Sequence, residues 1–383
     1  MIYVHVPFCR SFCTYCDFYS EICSRTEAQQ VQNRFDAYEA ALLDEIRRRP
    51  PQTGGGPRTL YFGGGTPSVL PLETVGRIVG ALGEAGYEEF TFEVNPDDIV
   101  ERGAGYVRGL QALGVNRISM GVQSFDDGIL KWMNRRHDAA GARRAFAILR
   151  EAGVANISID LIFGLPQLED SVWEATVDSA LELGAEHVSA YQLSVEEGSA
   201  LGRMVREGRW SEASDELCRR QYDILCRRLA AAGYRHYEIS NWARPGKEAV
   251  HNSAYWRRVP YIGYGPGAHS FIVSEGKESR LWNSSELAEF GADGILTGWS
   301  SSGEALSCSE SAEESIMLAL RTADGMPLER LRSLCAVLQT EPGAVDALLS
   351  GGSLQKFSHG GITMVRIPEE RFFVSDDIIS ALI

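Results

Sequence analysis

One phrase recurs along the chain: a helical stretch closes on a small residue and glycine, and an extended apolar run follows. It appears as EAGYEEFTFEV at Gly86, QALGVNRISMGV at Gly114, REAGVANISIDLIFG at Gly153, LELGAEHVSAYQL at Gly184 and AAAGYRHYEIS at Gly233. Glycine after a helix supplies the left-handed C-cap that other residues resist. The runs that follow are nearly continuous in apolar character, as strands buried on both faces of a parallel sheet are. With IYVHV at 2–6 and TLYF at 59–62, about six or seven strands alternate with helices. Such alternation predicts a parallel sheet with right-handed crossovers, and the uneven spacing argues against a short-period repeat. The expected fold class is α/β, a partial (β/α) barrel. Tyr38, Leu42 and Ile46, then Val172, Thr176 and Ala180, fall on helical stripes between the strands.

The unit pattern fades after about residue 245, which divides the chain into three expected segments. Residues 1–245 form the barrel, and 246–300, rich in aromatics, Gly and Ser, form a connecting region. Residues 301–383 form a small, mostly helical C-terminal domain that ends in a hairpin, ITMVRI turning into FFVSDDIISALI. SSSGEALSCSES at 300–311 reads as the linker.

Composition narrows the class of protein. The 383 residues are 44% hydrophobic and 23% charged, neither disordered nor fibrous in character. No apolar run approaches the ~20 residues that span a bilayer, and the N-terminus carries no signal segment. A cytoplasmic protein with no integral membrane segment is expected. Thirty-seven basic against 52 acidic residues give a net −15, which disfavours nucleic acid as a partner. Eight cysteines are too few for a disulfide scaffold. Cys23, Cys218, Cys226, Cys308 and Cys335 are scattered and read as small apolar packing.

The remaining three, Cys9, Cys13 and Cys16, crowd into one loop after the first strand, spaced C-x3-C-x2-C among Phe8, Phe12, Tyr15 and Phe18. Thiolates bind iron–sulfur clusters and zinc. A closed zinc site wants four ligands, and His5 lies inside the preceding strand. Three thiolates suit a cubane with one iron left open, which the aromatic collar would shield; zinc and chance crowding are the alternatives. The other unusual residues also stand at strand ends, where parallel barrels gather their chemistry. They are GGGTP (Gly63 to Pro67), Glu93 in FEVNP, Gln123 in MGVQSF, Asp160 in SIDLIFGLP, and Tyr191 with Gln192. GGGTP is either a tight turn or, opposite a cluster, a cradle that exposes N–H donors to a small zwitterion. Arg135 is a sensible partner for Glu93 or Asp160, which plain strand-end hydrogen bonding also explains.

This combination resembles the radical S-adenosylmethionine (radical SAM) superfamily, and within it the oxygen-independent coproporphyrinogen oxidase group. YVHVPFCRSFCTYC, YFGGGTPS, FEVNP, GVQSF, Asn134–Arg135 and IDLIFGLP carry the resemblance from residue 3 to about 166. It implies that Cys9, Cys13 and Cys16 hold a 4Fe–4S cluster whose fourth iron is chelated by SAM, and that one electron splits the sulfonium. It also implies that Tyr3 and Tyr15 border the SAM site, Gly64, Gly65 and Thr66 meet its amino-acid end, and Glu93, Gln123, Arg135 and Asp160 line the rest. No catalytic residue is singled out.

Two features resemble the heme-chaperone branch of the group rather than the oxidase. Phe18 stands where the oxidase carries a further cysteine, and HNSAYW occupies 251–256. Neutral imidazole is a good iron ligand and Tyr255 and Trp256 offer flat apolar surface, so His251 is the candidate heme residue, with a satisfied structural histidine as the alternative. His269 in GYGPGAHS is a porphyrin contact or part of a backbone turn. The resemblance implies a chaperone carrying heme as cargo to an unidentified heme-accepting protein, with an electron donor as a further partner if SAM is cleaved. The competing reading is a coproporphyrinogen III oxidase. Radical modification of tRNA is disfavoured by the net charge.

Overall fold

The computed structural model describes residues 1–23, 28–51, 55–83, 86–285 and 299–383; residues 286–298 of the expected connecting region lie outside these. Six strands follow the glycine-punctuated pattern: β1 (Ile2–Val6), β2 (Thr59–Gly64), β3 (Glu89–Val94), β4 (Arg117–Gln123), β5 (Ile157–Phe163) and β6 (His187–Gln192). Each pairs in parallel with the next, and helices such as Pro96–Ala112 and Asp170–Leu183 cross between them. Gly184 closes its helix at φ 69°, as the pattern requires, whereas the helix Leu72–Leu82 is capped by Gly83 rather than Gly86.

The strands are not apolar on both faces, as their composition had implied. Val4, Val6, Leu60, Phe62, Phe90, Phe92, Ile118 and Met120 are buried in the hydrophobic core. The residues between them, Tyr61, Glu93, Arg117, Ser119, Asp160, Ser189 and Tyr191, line a cavity instead. The two-residue period of a strand therefore separates an apolar face from a polar one. The interior of this barrel is where its polar groups gather.

Three further strands complete the sheet: β7 (Arg235–Glu238), β8 (Asn241–Ala243) and β9 (Ile262–Tyr264). The sheet order is β9-β1-β2-β3-β4-β5-β6-β8-β7, an open barrel. The run after Gly233 was expected to continue the parallel series, but β8 turns back antiparallel beside β6 and pushes β7 to the edge. On the other side β9, from the connecting region, pairs in parallel with β1.

The segment expected to be a linker is built structure. Ser301–Ala305 is an exposed strand paired with Lys277–Asn283, which pairs in turn with His269–Ser274. Ser307 then caps the helix Cys308–Leu320 in a reciprocal box with Glu310. Serines serve an edge strand and an N-cap as readily as a linker. The C-terminal hairpin also falls one step earlier than expected: Ile362–Arg366 pairs with Gln355–His359, and the chain ends in the helix Ser375–Ser380. FFV is not a strand because Phe372 packs on His236 at 4.9 Å and Phe373 on Tyr222 at 5.5 Å, tying the terminus to the barrel edge. Among the described residues no helix is long and apolar enough to cross a membrane.

Candidate cofactor site and its neighbouring groove

At the carboxyl ends of β1–β6 lies a cavity of about 520 Å3. Cys9, Cys13 and Cys16 all line it, each a free, half-buried thiol. The loop that carries them is held by other elements. Thr14 donates from its backbone to Met133 O (3.1 Å) and from Oγ1 to Trp132 O (2.8 Å). Asn134, in the left-handed region at φ 59°, donates from Nδ2 to Phe12 O at 2.7 Å. Arg135 donates to Cys13 Sγ at 3.3 Å, to Asn95 Oδ1 at 2.6 Å and to the Gly121 carbonyl at 2.5 Å. Burial pushes the Cys9 thiol up and the Cys16 thiol up to about 12. A bound cation reverses that preference, because a metal deprotonates the thiol it coordinates. Among the described residues no three His, Cys, Asp or Glu side chains converge tightly enough for a single metal ion. Three thiols lining one cavity are the donor set that a polynuclear cluster with one iron left open would use.

The aromatic collar is only partly there. Phe8 packs in the core against Phe35 (4.9 Å) and Tyr38 (5.4 Å). Tyr15 is tucked into the cavity wall, while Phe12 and Phe18 are 49% and 66% exposed at its mouth.

The glycine turn works differently from the expected N–H cradle. Gly65 N–H donates to Val6 O (2.8 Å) and Thr66 N–H to Phe8 O (2.7 Å), and Gly64 N–H serves the Glu93 carboxylate. None of the three is left for a ligand. Gly64 sits at φ 103°, and a Cβ there would lie 2.4 Å from the His5 ring, so the glycine is required by the fold. Gly64, Gly65 and Thr66 nevertheless line the cavity, and Thr66 Oγ1 joins Cys9 Sγ (3.4 Å) to Asn95 Nδ2 (3.1 Å).

Glu93 and Asp160 are both on the cavity wall. Burial pushes the Glu93 carboxyl up to about 7, although the Tyr61 hydroxyl donates to it at 2.7 Å; the Asp160 charge adds to the rise. Burial also raises Asp160, against hydrogen bonds that include Ser119 Oγ at 3.1 Å. Arg135 pairs with neither carboxylate. The balancing charge is that of Arg117, 2% exposed on the same inner face, which lowers the pKa of both. Gln123 ends β4 beyond a register shift, in the left-handed region at φ 69°. A non-glycine residue held there stores strain, and such residues cluster at ligand sites.

Eight of the expected cofactor residues thus meet in one cavity with the three cysteines: Tyr15, Gly64, Gly65, Thr66, Glu93, Gln123, Arg135 and Asp160. Two do not. Tyr3 lines a second cavity, its hydroxyl 3.1 Å from His5 Nδ1. His251, fully buried, lines neither, and both its ring nitrogens are engaged: Nδ1 with Thr59 Oγ1 at 2.8 Å and Nε2 with the Tyr255 hydroxyl at 2.9 Å. Its backbone N–H donates to Glu89 at 3.0 Å, and burial lowers its pKa to about 3. In this geometry His251 is a satisfied interior histidine, with no lone pair free for iron.

Arg117, Ser119, Asn95 and Ser189 belong to the site and were missed. Arg117 had a signal: it is the lone charge in RISMGV, an otherwise apolar run. Charges are almost never fully buried without compensation.

The model of the radical SAM superfamily matches residues 3–180. The chain is 34% identical over 359 residues to heme chaperone HemW of Synechocystis, covering 91% of this chain and 83% of that one. It is 33% identical over 363 residues to HemW of Mycobacterium tuberculosis (strain H37Rv), covering 92% and 88%. Among solved structures, coproporphyrinogen III oxidase (HemN) from Escherichia coli superposes with a TM-score of 0.78 over 100% of this chain and 89% of that one. At 22% identity that likeness speaks for the fold.

Proposed function

Because the chain belongs to the radical SAM superfamily and, within it, to the HemW family, we propose that it binds heme as cargo and passes it to an acceptor protein. The observation that carries this reading is the reach of the HemW similarity, which runs beyond the barrel into the C-terminal segment. The exposed Phe18 ring at the cavity mouth supports it, since the oxidase group that the sequence resembles has a thiol at that position. In this reading residues 1–245 hold the cofactors, the described part of 246–300 and the adjoining barrel edge face the cargo, and 301–383 are the appended unit.

Cys9, Cys13 and Cys16 would hold a 4Fe–4S cluster with one iron open to SAM. When bound, that pair supplies one-electron chemistry at a sulfonium. The chain's own residues set its surroundings. Arg135 fixes Cys13 and spans to Asn95 and Gly121, so the cysteine loop and the strand ends are positioned together. Glu93 and Asp160 present acidic groups to a cationic ligand, and Arg117 behind them keeps the pair from being wholly uncompensated. Tyr15, Gly64, Gly65, Thr66 and Gln123 close the remaining wall. An external reductant is a partner only if SAM is cleaved.

The test is anaerobic titration of the reconstituted protein with heme. We expect uptake of about one heme per chain, with a Soret band distinct from free heme. No uptake, with or without cluster, overturns the reading.

A further inference from the structure

Iron in heme takes an axial ligand with an available lone pair, most often a neutral imidazole. The chain has seven histidines. His5, His187, His236 and His251 are buried and hydrogen-bonded inside the protein. His137, also buried, donates from Nε2 to the Val122 carbonyl and keeps Nδ1 unpartnered among the described residues, but it lines neither cavity described above. His359 is exposed in the C-terminal hairpin and lines none of the cavities described above. That leaves His269, at the start of the strand His269–Ser274. It is exposed, and among the described residues no hydrogen bond or ion pair occupies its ring nitrogens.

His269 also stands where a porphyrin can lie. It lines a second cavity of about 760 Å3 with Tyr3, Tyr19, Tyr255, Tyr261 and Trp282. That volume is within the ~300–1,000 Å3 of pockets that bury an organic ligand. Its ring stacks on that of Trp282, directly opposite across the hairpin, with centroids 6.3 Å apart and planes 26° apart. Trp282 thereby limits how the imidazole can swing. Tyr255 and Tyr261 form a second aromatic contact at 4.6 Å, edge to face. Flat rings along its wall suit a planar macrocycle, while Ser284 and Ser302 add hydroxyls for its carboxylates.

We infer that this groove is the heme site and that a ring nitrogen of His269 is the axial ligand to the iron. The assignment rests on the heme-chaperone reading above and specifies where its cargo sits. Partial burial and the nearby Arg280 charge lower the His269 pKa, which favours the neutral, ligating form at neutral pH. The groove shares Asp17 and Phe18 with the cofactor cavity, so the cargo lies across one loop from the cluster thiols. HNSAYW contributes through Tyr255, a wall residue, while its histidine anchors that tyrosine from behind.

The experiment is a spectroscopic heme titration of wild type, His269→Ala and His359→Ala, with iron and sulfide assayed on each. Wild type and His359→Ala should share one Soret position and one affinity. His269→Ala should shift the band and weaken binding about 10-fold or more, with cluster content unchanged, and free imidazole should restore the wild-type band. Metal-free protoporphyrin IX should bind wild type more weakly than heme and be indifferent to His269→Ala. Heme-binding wild type with an unaltered spectrum and affinity in His269→Ala overturns this assignment alone. Protoporphyrin that binds as tightly as heme overturns the ligation. Wild type that takes up no heme overturns both the assignment and the reading beneath it.

Discussion

Two cavities meet at Asp17 and Phe18, and they are built in opposite ways. In the first, polar groups from five parallel strands and the loops that follow the strands hold one another: Tyr61 to Glu93, Ser119 to Asp160, Arg135 to Cys13, Thr66 to Cys9. In the second, tyrosines and a tryptophan surround an imidazole whose nitrogens are free among the described residues. A fixed network suits a resident cofactor, whose reactive atoms must be placed once and kept. A wall of stacked rings with one ligand suits a cargo that must also leave, because few bonds have to break for release.

The comparison is broken most severely at the cysteines. Cys9→Ala, Cys13→Ala and Cys16→Ala should each lose the cluster, read as iron and sulfide near background, yet still take up heme. Cys218→Ala, Cys226→Ala, Cys308→Ala and Cys335→Ala should keep it. Full cluster content in Cys13→Ala, or loss of heme uptake in a folded, cluster-free variant, would merge the two sites.

Arg117 comes next, because the polar barrel interior depends on its charge. Arg117→Leu leaves Glu93 and Asp160 buried without it and should cost about 3 kcal/mol of stability, read from urea midpoints. A loss no larger than that of an exposed arginine would mean the interior is not electrostatically coupled.

An effect of similar size, confined to a pH window, comes from Glu93. The Glu93 carboxyl in the folded protein lies above its ordinary value of 4.5, at about 7. Between these values the folded state binds more proton than the unfolded one, so the Glu93 contribution is full below pH ~4.5 and is lost as pH rises through ~7. Glu93→Gln should remove that loss, flattening the decline in stability over this window by on the order of 3 kcal/mol. Parallel stability–pH curves for the two proteins would rule it out.

The smallest effect separates strain from binding. Gln123→Gly relieves a left-handed residue and removes a wall group, so thermal stability should hold or rise slightly while SAM affinity falls about 10-fold. Calorimetry showing unchanged SAM binding would make Gln123 structural.

How much of this could be read from the sequence differs between the same two regions. The first site was legible because its residues sit at strand ends that the glycine punctuation locates, and its thiols are bunched in one loop. What stayed hidden there was pairing. Arg117 takes the charge-balancing role expected of Arg135, since which guanidinium lies near a carboxylate depends on side-chain direction across neighbouring strands. The second region was nearly illegible. Its walls come from β1, the end of the cysteine loop, the helix Val250–Trp256 and three antiparallel strands, with no shared period. HNSAYW drew attention to its histidine, whose ring nitrogens are both engaged in the interior, whereas the side chain of that helix that lines the groove is Tyr255. Which face of a seven-residue helix turns inward is set by Thr59 and Glu89, about 160 to 190 positions away. The short strands β8 and β9 escaped for a similar reason: three residues carry too little pattern to register.

The central claim is that porphyrin is cargo here rather than reactant. Its most direct test is anaerobic incubation of cluster-loaded protein with SAM, a reductant and coproporphyrinogen III, beside a parallel sample given heme. The account predicts stoichiometric heme uptake in the second sample and no protoporphyrinogen IX in the first. SAM-dependent conversion of coproporphyrinogen III over multiple turnovers would contradict it.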